Sequence, residues 1–249
     1  MTLITICSAK HSPGVTTLGQ ALALQTGALF IEADPAGGDL AARWGVPTDP
    51  GMLTLAAASR RGVSRDLIDR HGQSPAGYPV LVAPPSAEQS RSAILTLGRP
   101  FAEHLASGTD ITPSTDHIGA VADCGRWDPA SPCVDLVAES SVTLVVLRPT
   151  VESVAQVRTR LASIAVIARH VLVITIGSRP YGSDEVATAL GDVTTFGLAS
   201  DERSASFVRS GRSLDRSLRR APLIRSVADL IAELHAVTSV ESPRALSPR

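Results

Sequence analysis

Short β-branched runs alternate with amphipathic stretches along most of the chain, and the runs are apolar almost throughout rather than at every second position. Leu3-Ile4-Thr5-Ile6, Ala28 to Ile31, His117 to Gly125, Ser141 to Arg148, Val171 to Gly177 and Val193 to Leu198 read as buried strands. Continuous apolar strands belong to a parallel sheet covered on both faces. Between them, Leu18, Ala21 and Leu22 open a helix, and Met52 to Arg70 predicts one or two short ones. Ala87 to Leu105 and Val151 to Ala168 carry apolar residues at helical spacing, and Asp184 to Leu190 and Leu223 to Val237 add two more helices. Tyr78 to Pro85 predicts a short strand stopped by prolines. Ser107 to Asp116 reads as a polar loop, and Ser239 to Arg249 as a disordered Pro/Ser tail. The repeated β-α units predict one α/β domain over residues 1–238. Its doubly wound, mostly parallel sheet of about seven strands is flanked by helices, a three-layer α/β/α architecture.

Composition narrows the picture. At 249 residues the chain can bury a substantial core, and aromatic residues make up only 3%. A formal net charge of −1 advertises neither nucleic acid nor a membrane surface. No signal peptide or long apolar span is apparent, and Cys7, Cys124 and Cys133 have no metal-type spacing. The expected setting is the cytoplasm, with reduced thiols.

Candidate chemistry begins at the first strand. Ile4 to Leu18 runs strand, loop, Gly14, then Thr16 and Thr17 at the start of a helix. Loop amides and the positive end of a helix then converge on one point, which favours an anion. Two other strands end in acids: Glu32 and Asp34 in E-A-D-P-A-G-G-D, and Asp123 in A-V-A-D-C-G. Asp-Pro-Ala-Gly also suits a simple turn, and an acid closing a strand is common.

Lys10-His11-Ser12-Pro13-Gly14-Val15-Thr16-Thr17 resembles the deviant Walker A motif, K-G-G-x-G-K-T-T, of the ParA/MinD family of P-loop ATPases. The resemblance implies that Lys10, the sole lysine of the chain, is the signature lysine that reaches the phosphates across a dimer. It makes Gly14, Val15, Thr16 and Thr17 the nucleotide-binding stretch, with Thr16 a Mg²⁺ ligand and Thr17 beside the α-phosphate. The D-P-A-G-G-D segment resembles the family's switch, in which Asp34 would orient the attacking water. Asp123 resembles the Walker B acid, holding a Mg²⁺-bound water. Asp201, after the last strand, matches the acid of the loop that flanks the base. The implied cofactor is ATP or ADP with Mg²⁺. The run V-L-V-A-P-P-S-A-E-Q is similar to the CpaE/TadZ and flagellar-number branches.

Several positions depart from the pattern. Val15 replaces the lysine that holds the β- and γ-phosphates, His11 and Ser12 replace glycines, and Pro13 has no N–H to donate. Thr175 to Ser178 has no adenine-reading asparagine, and the proline before Asp201 is missing. Three readings stay open. One is a nucleotide-dependent positioning or partitioning protein, as a homodimer, with hydrolysis slow or lost. Another is a pseudo-ATPase scaffold for a protein partner in division, chromosome segregation, or a pilus or secretion locus. The third is a factor that binds DNA non-specifically through the arginine-rich stretch Arg203 to Arg225. That stretch equally suits a solvated helix face. Leu223 to Val237 carries Asp229 and Glu233 and reads as a helix docked on the core rather than a membrane helix.

Overall fold

The computed structural model describes residues 2–11, 13–107, 118–212 and 218–239. Ser12, His117, Arg216, the polar stretch 108–117 and the tail beyond Ser239 lie outside the described residues. In chain order the elements are β1 (Thr2–Ser8), α1 (Val15–Thr26), β2 (Leu29–Glu32), α2 (Leu40–Trp44), α3 (Met52–Ala58), α4 (Arg65–His71), β3 (Val80–Leu81), α5 (Ala87–Ser107) and β4 (Ile118–Arg126). There follow α6 (Val134–Glu139), β5 (Val142–Leu147), α7 (Val151–Ala165), β6 (Val171–Ile176), α8 (Ser183–Ala189), β7 (Thr195–Leu198), α9 (Glu202–Arg209) and α10 (Pro222–Ser239).

All strand pairs are parallel, in the order β3-β2-β4-β1-β5-β6-β7. β1 is central and buried along its whole length, which is why its sequence is apolar without alternation. Successive side chains still point to opposite faces. Leu3 and Cys7 join one core with α3, α5, α6 and α7, whereas Ile4 and Ile6 join the other with α1, α9 and α10.

Connections from β1 and from β4 run to opposite sides of the sheet, so a crevice opens at the carboxyl edge between them. The register brings the acids there together: Ile6 pairs with Asp123, and Glu32 pairs with Asp123.

Two expectations change in detail. The strand read over Tyr78 to Pro85 shrinks to Val80–Leu81, because Pro79, Pro84 and Pro85 have no N–H for a ladder. The helix read over Ala87 to Leu105 is interrupted at Gly98 (φ 49°, ψ −152°), two residues before Pro100. α10 buries Leu223, Ile224, Val227, Leu230 and Leu234 in the core, and no helix among the described residues is long and apolar enough to cross a membrane.

One core position is out of keeping with its surroundings. Gln20 on α1 is 0% exposed, and both polar atoms of its amide lack a partner. Such an amide costs about 1–3 kcal/mol of desolvation. Gln20→Met, close to isosteric, is expected to raise stability by about 1 kcal/mol, read from the urea midpoint at constant m-value. A lowered midpoint would show that the amide is bonded in solution.

Candidate functional site

β1 delivers the loop to the crevice, and the loop turns directly into α1. His11 takes φ 67°, in the left-handed region that favours glycine, and Gly14 takes φ 102° as the N-cap of α1. The loop therefore keeps a glycine-type backbone at a position now held by histidine. Thr16 and Thr17 follow in the first turn and line a cavity of about 680 Å³. Lys10, His11, Asp34 and Asp39 line the same cavity.

Val15 does not face this cavity. Its side chain is 1% exposed and packs with Ile4, Ile6 and Leu18 in the core beneath α1. The side chain serves the core and carries no charge, leaving only the backbone of this residue to the site. Asp123 lies under the cavity rather than on its wall. It is 1% exposed, accepts the Gly125 amide at 2.9 Å, and is hydrogen-bonded to the Thr16 hydroxyl. Gly125, at φ 58°, leaves space for Asp34: a Cβ there would fall 2.4 Å from its carboxyl carbon. Lys10, Thr16, Asp34 and Asp123 thus surround one hollow, the last from below.

No ion pair involves Glu32, Asp34 or Asp123 among the described residues. Burial pushes the Asp123 carboxyl up to about 7, against the Thr16 and Gly125 hydrogen bonds, with Asp34 and Glu32 adding to the rise. Burial also raises Asp34, opposed by the Ala36 amide and assisted by Asp39. Glu32 is raised by burial too, yet it is tied down. Its carboxylate accepts the amides of Asp39 at 2.7 Å, Leu40 at 3.0 Å and Ala83 at 2.9 Å. A Glu here, in place of a shorter Asp, reaches across to β3 and the start of α2.

These groups fit a hard divalent cation in one respect. Oxygen donors with raised carboxyl pKa values are relieved when a cation arrives. No group of three or more His, Cys, Asp or Glu side chains could hold a metal alone among the described residues. Thr16 and Asp123 would therefore hold Mg²⁺ only with oxygens from a ligand and water, the arrangement Mg²⁺ prefers.

Asp201 lines the cavity, but its carboxylate caps α9, accepting the Ser204 amide at 3.2 Å. The Ser204 hydroxyl holds it below the usual carboxylate range. The sequence did not single out Arg43, Arg148 or Ser153 as site residues, and offered Arg209 only within the arginine-rich stretch, yet all four line the cavity. Arg43 is 3.7 Å from Asp39, and Arg209 pairs with Glu202, which withdraws it from the arginine-rich stretch. Arg148 follows β5 directly, so a cation placed after an apolar run was the available signal.

No protein-family profile and no curated protein matches this chain. Solved structures do. The ParA family ATPase from Chlorobium tepidum TLS superposes with a TM-score of 0.74 at 17% identity, over 93% of this chain and 97% of that one. The septum site-determining protein MinD of Pyrococcus horikoshii OT3, complexed with Mg-ADP, gives 0.66 at 13%, over 97% and 99%. A plasmid partition protein from Borrelia burgdorferi B31 bound to AMPPNP gives 0.63 at 12%, over 94% and 98%. The fold is that of the ParA/MinD ATPases.

Proposed function

We propose that this chain is a ParA/MinD-like nucleotide-dependent positioning or partitioning protein in which ATP hydrolysis is slow or lost. The observation that carries the reading is the convergence of Lys10, Thr16, Thr17 and Asp34 on one cavity, with Asp123 beneath. It is supported by a fold shared with proteins solved with Mg-ADP and AMPPNP. The amides from Gly14 to Thr17 bind phosphate oxygens at the head of α1. Thr16 and Asp123 hold Mg²⁺, which when bound neutralises charge on the phosphates. Asp34 orients water, and the exposed Lys10 reaches the phosphates held by a second copy. Asp201 flanks the base. With Val15 turned into the core, the β- and γ-phosphates lack their central cation, so the electrostatic contribution to phosphoryl transfer falls.

A second reading is a pseudo-ATPase scaffold that acts through a protein partner. The inward-facing Val15 favours it, because the residue serves the core rather than a ligand. Thermal unfolding with and without Mg-ATP separates the two. A ligand at about 100 times its Kd stabilises the native state by about 2.7 kcal/mol. The nucleotide reading expects a shift of that order that weakens in Thr16→Val, with phosphate release near background and abolished by Asp34→Ala. No shift at millimolar Mg-ATP would overturn it in favour of the scaffold.

A further inference from the structure

The cavity at the loop continues into a second lobe, which shares Arg148, Ile176 and residues 198–200 with it and which the phosphate contacts proposed above leave unused. Arg148 stands where the two meet, and the lobe encloses about 670 Å³ between the carboxyl ends of β5, β6 and β7. Its wall carries two arginines, Arg148 and Arg179, and the hydroxyl residues Thr150, Thr175, Ser178, Ser183 and Ser200, with no Asp or Glu. Neither arginine has an ion-pair partner among the described residues. Of the acids nearby, Glu185 accepts the Gly182 amide at 2.8 Å and Glu152 is bonded to Thr150, while Asp184 follows Ser183 in the first turn of α8 and lies off the lining of the lobe.

The floor supplies the second observation. Thr175 is 0% exposed, lines the lobe, and its Oγ1 has no hydrogen-bond partner. A buried hydroxyl without a partner is costly and needs an explanation. Beside it, Gly197 leaves a gap. A Cβ there would sit 3.6 Å from the Thr175 Oγ1 and 3.7 Å from the Ser183 Oγ. The amino end of the 15-residue α7 opens on the same wall at Thr150, adding positive potential.

We propose that this lobe binds a phosphate group, gripped by Arg148 and Arg179 and met from below by the Thr175 hydroxyl. Guanidinium forks match tetrahedral oxyanions, and an acid-free wall leaves nothing to repel one. The phosphate is either free inorganic phosphate or a further phosphate of a ligand that also fills the loop cavity.

Calorimetric titration of the full chain tests this, with inorganic phosphate in one arm and adenosine 3′,5′-bisphosphate in the other. Each is run with and without saturating Mg-ATP. Phosphate stabilises proteins in general by exclusion from their surfaces, so the readout is the direct heat of binding, compared across variants at equal ionic strength. Arg179→Gln, an exposed position on the second lobe alone, is expected to weaken binding about tenfold or more. Gly197→Ala has room for its methyl at ordinary contact distance and is expected to weaken binding by narrowing the floor. Arg91→Gln, an exposed position on α5 outside both lobes, removes the same charge and is expected to leave inorganic phosphate binding unchanged.

Phosphate binding that survives saturating Mg-ATP identifies the free anion. Binding of the bisphosphate alone, sensitive to Arg179 and displaced by Mg-ATP, identifies one ligand spanning both lobes. Binding that ignores Arg179→Gln, or no saturable binding of either probe, overturns the proposal. A chain that fails to bind Mg-ATP can still bind phosphate here, so the two readings fail separately.

Discussion

Asp123→Asn is expected to stabilise the ligand-free protein at neutral and alkaline pH, although it removes a buried hydrogen-bonded residue. The carboxyl is raised from 3.8 in the unfolded chain to about 7 in the fold, chiefly by burial. Between those values the native state holds a proton that the unfolded state has released. Stability therefore falls as pH rises through this window, at up to about 1.4 kcal/mol per unit, and stays at the lower level above it. Asparagine cannot ionise, and it can still accept the Gly125 amide and bond to Thr16. Its advantage should be near zero at pH 4 and on the order of 4 kcal/mol at pH 8, read from urea midpoints. The same variant should lose the Mg²⁺-dependent part of any nucleotide stabilisation, because its oxygen no longer carries charge. A variant less stable than wild type at pH 8 would show that the carboxylate sits comfortably ionised, and the charge balance described for this hollow would be wrong.

Gly37→Ala should be among the most damaging single methyl additions in the molecule. Gly37 has φ 108°, and a Cβ there would fall 2.3 Å from the Pro85 carbonyl oxygen and 2.9 Å from its carbon. Both are backbone atoms that cannot swing aside. The neighbouring Gly38 amide donates to the Pro84 carbonyl at 2.9 Å, so the two loops are already in contact. The expected loss is about 3 kcal/mol or more. Gly27→Ala provides the comparison. It also has positive φ, 74°, but a Cβ there meets nothing within 4 Å. Only the backbone penalty remains, about 1 kcal/mol. Equal losses for the two variants, measured by chemical denaturation, would show that the approach of Gly37 to Pro85 is not close in solution.

The strands were the easiest part of the chain to read, because a parallel sheet covered on both faces leaves unbroken β-branched runs. α2, α6 and α9 were not read as helices. They span five, six and eight residues, too short to show a period. The motif order Lys10, Asp34, Asp123 was legible because each residue ends or follows a buried run, and parallel strands bring such ends to one edge. The direction of Val15 was not. A sequence shows an uncharged residue at this point of the loop, but only packing shows that its side chain has joined the core. Arg148 escaped notice for a related reason: its place at the junction of two cavities depends on β5 lying beside β1, which no local pattern encodes. The three cysteines behave similarly. Their spacing suggests nothing, yet all three are buried, and Cys133 donates to the Ala33 carbonyl at 3.2 Å, next to Asp34.

The acid that closes β2 has a mechanical consequence. Glu32 clamps the amides at the head of α2 and the one after β3, while Ser90 on α5 holds the Asp34 carbonyl at 2.7 Å. The residues between are thus moored to three separate elements before anything arrives. A ligand touching Asp34 meets a surface whose freedom was lost on folding, so none of the binding energy goes into arranging it. Any displacement there must carry α5 along, and the occupied state would be displayed on the far flank of the molecule, not in the crevice.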